Sequence, residues 1–271
     1  MSRLLLCTDL DRTLLPNGSW EPDSGAIELF NDITADHDVL VVYVTGRNLQ
    51  LTENAIREFG VRYPDILCGD VGTTIRKYRD GAWHFDEGWK QHVKRASPRW
   101  TAAGVAEAVE GIEGLRVQEA EHLNPFKQSY YVDHASKDRV LAAVDERVKG
   151  RFDEVIVYSF DSQDGKGLLD FLPSSATKQT ALEYVAEEYG VAREDVVFCG
   201  DSGNDIFPLT AGFSGVLVRN ADDQLVANVR AAMRENPGLK VYFARGDFKG
   251  LSGFYTSGVI EGAYHYGLFR K

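Results

Sequence analysis

Two carboxylates separated by a single residue, Asp9 and Asp11, follow a short apolar run, Leu4 to Cys7. Such a run suits a strand buried on both faces, and open α/β sheets place their ligand crevice just beyond the C-terminal ends of these strands. Two like charges there repel and lose hydration unless a cation lies between them, and Mg²⁺ prefers hard oxygen ligands. A second acidic stretch, Asp201-Ser202-Gly203-Asn204-Asp205, follows a second apolar run, Val196 to Cys199. Its glycines let the chain turn so that Asp201 and Asp205 face the crevice of Asp9, and two separated acidic loops then make one metal site. Thr45 and Gly46 follow a third run, Val39 to Val44, where a hydroxyl and backbone N–H groups at a helix start can hold a phosphate oxygen. Lys178 opens a helix just after Pro173-Ser174-Ser175. Taken singly, each piece also has an ordinary reading: a turn-capping Asp, a tight acidic turn, a Thr-Gly helix cap, a solvated lysine.

These residues need a scaffold that brings strand ends together. Further strand-like runs lie at Gly215 to Val218 and Val241 to Ala244, and segments of helical period lie at Gly25 to Ala35, Leu49 to Phe59, Lys178 to Tyr189 and Asp222 to Glu235. Alternation of this kind predicts an α/β fold with a doubly wound, Rossmann-like parallel sheet. From about 85 to 170 the order changes to helix (Pro98 to Glu110), strand (Leu115 to Gln118), strand (Gln128 to Val132), helix (Lys137 to Lys149), strand (Glu154 to Ser159) and strand (Gly167 to Leu172). That αββαββ order predicts an inserted α+β domain at 85–170, with 1–84 and 171–271 forming the core. Gly81, Gly88 and Pro173-Ser174-Ser175 supply residues suited to the crossings.

The chain has 271 residues, 44% hydrophobic and 26% charged, which predicts a folded globular protein. A formal charge of −11, from 30 Lys+Arg and 41 Asp+Glu, disfavours nucleic acid and anionic membranes as partners. The start of the chain lacks an apolar segment of signal-peptide length, and no stretch reaches the roughly 20 apolar residues of a membrane span. A cytoplasmic location is expected. Cys7, Cys68 and Cys199 lack metal-ligand spacing and read as reduced core residues rather than as a catalytic thiol.

Asp9-Leu10-Asp11-Arg12-Thr13, Thr45-Gly46-Arg47, Lys178 and Gly200-Asp201-Ser202-Gly203-Asn204-Asp205, in this order and at strand or helix ends, resemble the haloacid dehalogenase superfamily of aspartate-dependent phosphotransferases. The inserted unit is similar to its branch with a large mobile cap. Across nearly the whole chain the resemblance narrows to the sucrose-phosphate phosphatases, through Asn124-Pro125-Phe126-Lys127-Gln128-Ser129-Tyr130, Leu169-Asp170-Phe171-Leu172-Pro173, Val218-Arg219-Asn220-Ala221 and Ser257-Gly258-Val259-Ile260-Glu261-Gly262 with His265. Leu123 stands where that family has Gln, and Gln179 where it has Gly, so a related disaccharide phosphate such as mannosylfructose phosphate stays open beside sucrose 6-phosphate.

The resemblance implies a Mg²⁺-dependent phosphomonoesterase. Asp9 is the implied nucleophile, forming an aspartyl-phosphate, and Asp11 the acid and base. Thr45, Gly46 and Lys178 are implied to bind phosphate. The metal is implied at the Asp9 carboxylate, the Asp11 carbonyl and Asp201, with Asp205 acting through water or from behind. Arg47 from the core and Asn124, Lys127 and Asp170 from the cap are implied to recognise the sugar. Tyr130, Tyr131 and Trp89 read as cap core or as an apolar sugar platform, His122 and His134 as polar surface. Glu261 and His265 are spaced to pair on the last helix. A sugar phosphate is the expected partner, with a sugar-phosphate synthase as a possible second and a monomer as the expected state. A phosphosugar mutase and a non-catalytic phosphosugar-binding domain are the competing functions.

Overall fold

The computed structural model describes residues 4–37, 39–161 and 165–269. Its larger sheet contains β1 (Leu4–Thr8), β2 (Val39–Val44), β3 (Ile66–Gly69), β4 (Thr74–Arg79) and β5 (Ala82–Phe85). The smaller sheet contains β6 (Leu115–Val117), β7 (Gln128–Val132), β8 (Glu154–Asp161) and β9 (Lys166–Pro173). The chain then returns to the larger sheet as β10 (Val196–Gly200), β11 (Ser214–Leu217) and β12 (Lys240–Phe243). The order across the larger sheet is β12-β11-β10-β1-β2-β3-β4-β5. It is parallel from β12 to β3 and ends in an antiparallel hairpin. The central strands β1, β2 and β10 are almost wholly buried, because apolar side chains on consecutive positions have a helix layer to meet on each face.

One layer gathers Val42, Ile66, Leu182, Val185 and Phe198, the other Phe30, Tyr43, Ile56, Val197 and Ile260. This is the doubly wound sheet expected. Strands β3 to β5 add to the sequence reading. The apolar run of β3 is only Ile66-Leu67-Cys68, and β4 carries Arg76, Lys77 and Arg79 at the sheet margin, so the first is short and the second is not an apolar run.

The smaller sheet is antiparallel, ordered β6-β7-β9-β8, and helices Ala102–Val109 and Lys137–Val148 cover one face. Val105, Val109, Tyr130, Val140, Val144, Leu169 and Phe171 form its core. Helix Glu87–Ala96 falls within 85–170 yet buries Trp89 and Val93 in the main core. The crossings between layers lie near Ser97 and Ser175, whose hydroxyls are 2.7 Å apart. Gly81 and Gly88 precede that crossing.

Candidate active site and metal centre

Strand β1 delivers Asp9 at its C-terminal end, where the Asp9 N–H donates to the Cys199 carbonyl at 2.9 Å. The turn that follows is anchored by fully buried Leu10, Leu14 and Leu15. Neighbouring β10 delivers Asp201. Its last residue must be small, because a Cβ on Gly200 would lie 2.6 Å from the Asp205 carboxyl carbon. That gap lets Asp205 fold back and accept from the N–H groups of Asp201 at 3.0 Å and Ser202 at 3.1 Å.

Carboxylate oxygens of Asp9, Asp201 and Asp205 lie within 4.8 Å of one another, all buried. Lys178, at the start of helix Lys178–Glu188, spans two of them. Its Nζ donates to Asp9 Oδ1 at 2.8 Å, Asp205 Oδ1 at 2.8 Å and Asn204 Oδ1 at 3.0 Å. Asp201 accepts from Thr13 Oγ1 at 2.9 Å, while its Oδ2 is buried with no hydrogen-bond partner. Arg12 Nε approaches that oxygen only to 3.4 Å and turns Nη2 to Asp222. An orphaned carboxylate oxygen in a cluster of hard oxygen donors fits a hard divalent cation.

The electrostatics agree. Burial pushes Asp9 up to about 7, opposed by the Lys178 charge and reinforced by Asp205 and Asp11. Asp201 is pushed well above the usual carboxylate range by burial, with Asp9 and Asp205 adding. Lys178 is held above its ordinary value, because the charges of Asp205 and Asp9 outweigh its own burial. Asp11 behaves oppositely. Burial acts to raise it, but the hydrogen bonds and charge of Arg47, with help from Asn17, hold it below the usual range. Arg47 grips both oxygens, Nε to Oδ2 at 2.8 Å and Nη2 to Oδ1 at 2.6 Å, and Asn17 donates to Oδ1 at 2.6 Å.

Above this floor a cavity of about 430 Å³ opens between the two sheets. Of the residues expected at the site, Asp9, Asp11, Gly46, Arg47, Lys127, Asp170 and Asp201 line it. Lys127 Nζ is 3.7 Å from Asp170 Oδ1. Thr45, Asn124, Lys178 and Asp205 do not line it. Thr45 is fully buried and its hydroxyl accepts from the Arg47 N–H at 3.1 Å. Asn124 was expected to meet the sugar. Instead its Nδ2 donates to Thr73 Oγ1 at 3.1 Å and its Oδ1 accepts from the Phe126 N–H at 2.8 Å, so both ends of the amide are spent on a turn and on a bond to the core. The Asp11 carboxylate lies outside the acidic cluster of Asp9, Asp201 and Asp205. Leu123 does not line the cavity.

Arg12, Asn17, Gln118 and Lys166 line the cavity without having been singled out. For Lys166 a signal existed: side chains alternate along a strand, and Lys166, Leu168 and Asp170 of β9 line the cavity while Leu169 and Phe171 enter the cap core. The same alternation puts Tyr130 in that core and Tyr131 at the cavity, and Trp89 lies in the main core. His122 lines the cavity, whereas His134 Nδ1 is 2.7 Å from the Tyr158 hydroxyl. Glu261 does not pair with His265. It accepts from Tyr242 Oη and from the N–H groups of Arg245 and Gly246, an anchor for the loop after β12.

A 35% identical relative, a protein of Nitrosococcus oceani assigned only as HAD-like hydrolase, aligns with 97% of this chain and 72% of its own. Mannosylfructose-phosphate phosphatase of Agrobacterium fabrum is 28% identical over 97% of both chains. Sucrose-phosphatase 1 of Nicotiana tabacum is 28% identical over 87% of this chain but only 55% of its own length. The chain thus spans about half of that plant protein. Among solved structures, the sucrose-phosphatase of Synechocystis sp. PCC6803 in complex with sucrose and phosphate superposes with a TM-score of 0.77, 25% identity and 98% coverage of both chains. Fold and site together are those of a phosphoric monoester hydrolase of the haloacid dehalogenase type, a doubly wound core with an inserted cap. The profile of the sucrose-6F-phosphate phosphohydrolases matches residues 2–267, and the chain belongs to that family.

Proposed function

We propose that this protein hydrolyses sucrose 6-phosphate to sucrose and inorganic phosphate. The observation that carries the reading is the Asp9–Asp201–Asp205 cluster, with its orphaned Asp201 oxygen, on the floor of a cavity roofed by the smaller sheet. Asp9, Asp201 and the Asp11 carbonyl would hold Mg²⁺, with Asp205 behind them. When bound, the cation supplies the positive charge that offsets repulsion between the carboxylates and a phosphate dianion.

Asp9 attacks phosphorus, the bond to the sugar oxygen breaks, and Asp11 gives that oxygen its proton. Water then attacks the aspartyl-phosphate, loses a proton to Asp11 and releases phosphate, which restores both carboxyl groups. Asp11 is ionised while Arg47 grips it, so Arg47 must pass to the substrate before Asp11 takes up its proton. Gly46 lines the cavity, and its N–H is the group this reading assigns to a phosphate oxygen. Thr45 fixes the backbone on either side of it. Lys178 steadies the nucleophile and gains a phosphate oxygen only by releasing one present acceptor.

The cap, which we place between the Ser97 and Ser175 crossings, supplies Lys127, Asp170, Gln118 and Lys166 for sugar hydroxyls. Action as a monomer is part of this reading, and a sugar-phosphate synthase is the partner whose product would feed it. Three buried, free cysteines suit a reducing, cytoplasmic setting, and no helix among the described residues is long and apolar enough to cross a membrane. Mannosylfructose phosphate is a second reading, favoured by the full-length match to the Agrobacterium enzyme. Phosphate release with Mg²⁺ from sucrose 6-phosphate, mannosylfructose phosphate and simple hexose phosphates separates these. Equal rates on all would refute sugar recognition by the cap, and an isomerised monophosphate without released phosphate would indicate a mutase.

A further inference from the structure

Asp70, Val71 and Gly72, which follow β3, have φ values of 53°, 62° and 96°. Glycine enters this region freely, but a β-branched valine there is an outlier that its surroundings must impose. The Asp70 N–H donates to the Arg47 carbonyl and the Val71 N–H to the Thr45 carbonyl, both at 2.9 Å. These bonds bracket Gly46 from either side. Gly72 is wedged against the start of the lysine helix, since a Cβ there would lie 2.3 Å from the Thr177 carbonyl oxygen and 2.8 Å from the Lys178 nitrogen. The Val71 side chain is 3% exposed and packs with Val157 and Leu172 of the cap sheet, and it also lines the cavity. One strained valine thus touches the cap while its own amide holds the loop that presents Gly46 and Arg47.

We propose that Val71 is a positioning residue that ties the seating of the cap to the placement of Thr45–Arg47, so that turnover depends on a leaving group large enough to hold the cap down. This rests on the phosphatase reading and adds a size requirement to it. The apolar contact at Val71 is confined to Val155, Val157 and Leu172 of the cap sheet, so a disaccharide bridging cap and core adds to what seats the cap on this valine. A small ester leaves Val71 unsupported and the cradle loose.

The test compares Val71→Gly, which removes the side chain and suits the backbone conformation, with Leu172→Ala, which removes only the cap half of the contact. In the Mg²⁺-loaded enzyme, kcat/KM for sucrose 6-phosphate relative to phenyl phosphate should fall roughly 2- to 30-fold in both variants, mainly through kcat. Hydrogen exchange of backbone 44–48 should quicken in both. Equal loss on the two esters, or unchanged exchange at 44–48, overturns the proposal. Should the wild type prefer another sugar phosphate, the ratio is taken on that ester. Should it hydrolyse no ester, the phosphatase reading fails on its own and exchange alone decides the coupling.

Discussion

Stripped of divalent metal, the protein should lose stability as pH rises from 5 to 8. Burial raises Asp9 from 3.8 to about 7, and Asp201 is raised as well. A carboxyl group with a raised folded pKa binds its proton more tightly in the native state. Its contribution is fully present below the unfolded value and is lost as pH climbs through the folded one. At about 1.4 kcal/mol per pKa unit, Asp9 alone accounts for roughly 3 kcal/mol between pH 5 and 8. At about 2–4 °C per kcal/mol, that is a fall of roughly 6–12 °C in melting temperature. Added Mg²⁺ binds the ionised carboxylates, so the slope should flatten, and metal at a hundredfold excess over its Kd should return about 2.7 kcal/mol. Asp201→Asn removes a buried charge and one metal ligand. Metal-free at pH 8 it should melt above the wild type, and Mg²⁺ should no longer shift it. Thermal unfolding followed by circular dichroism on chelator-dialysed protein provides the measurement. A metal-free melting temperature that stays level or rises with pH, or an Asp201→Asn protein with a full Mg²⁺ shift, would refute the reasoning.

Asp9→Asn should lower phosphate release by on the order of 10⁴-fold or more while the fold, monitored by its melting curve, survives; residual turnover near wild type would remove Asp9 as nucleophile. Arg47→Ala frees the Asp11 carboxylate from its two strongest bonds, so the limb of the kcat/KM pH profile governed by Asp11 should move to higher pH. An unmoved limb would mean that Arg47 does not set Asp11. Gly72→Ala forces a side chain into φ 96° and against the Thr177 carbonyl, at a cost of about 1–3 kcal/mol measurable by urea unfolding.

The pairing of Asp9 with Asp201 was legible because it depends on strand ends alone. Asp9 and Asp201 follow adjacent parallel strands of consecutive apolar residues, and the sheet order brings them together whatever the loops do. The edge hairpin was not legible, since β4 has adjacent Arg76 and Lys77 in its middle, which breaks any apolar alternation, and it offers no buried run beyond Thr74 and Ile75. The state of Asp11 was also hidden. Its partner Arg47 is 36 positions away, and a DxD motif says nothing about which cation turns toward its second carboxylate. In the cap, the type of element was readable, but which face of each strand meets the core depends on docking. Asn124 shows the consequence, as a polar residue in a motif that serves a turn and a single bond to Thr73.

The charge arrangement of the floor explains how a chain of net charge −11 takes an anionic substrate. With all three ionised, Asp9, Asp201 and Asp205 face Lys178 and the looser Arg12 with one negative charge unmatched before Asp11 is counted, which is why burial together with these neighbours holds the protons on Asp9 and Asp201. Arg47 is spent on Asp11, and Lys127 lies close to Asp170. The described positive groups nearest the floor are therefore committed to carboxylates already on the protein, and a phosphate dianion entering alone would meet a field of its own sign. A divalent cation held by Asp9 and Asp201 would supply positive charge at that point without altering the surface. Arg47 and Lys178 would then turn to phosphate only by giving up acceptors they now hold, Arg47 the Asp11 carboxylate and Lys178 one of Asp9, Asn204 and Asp205.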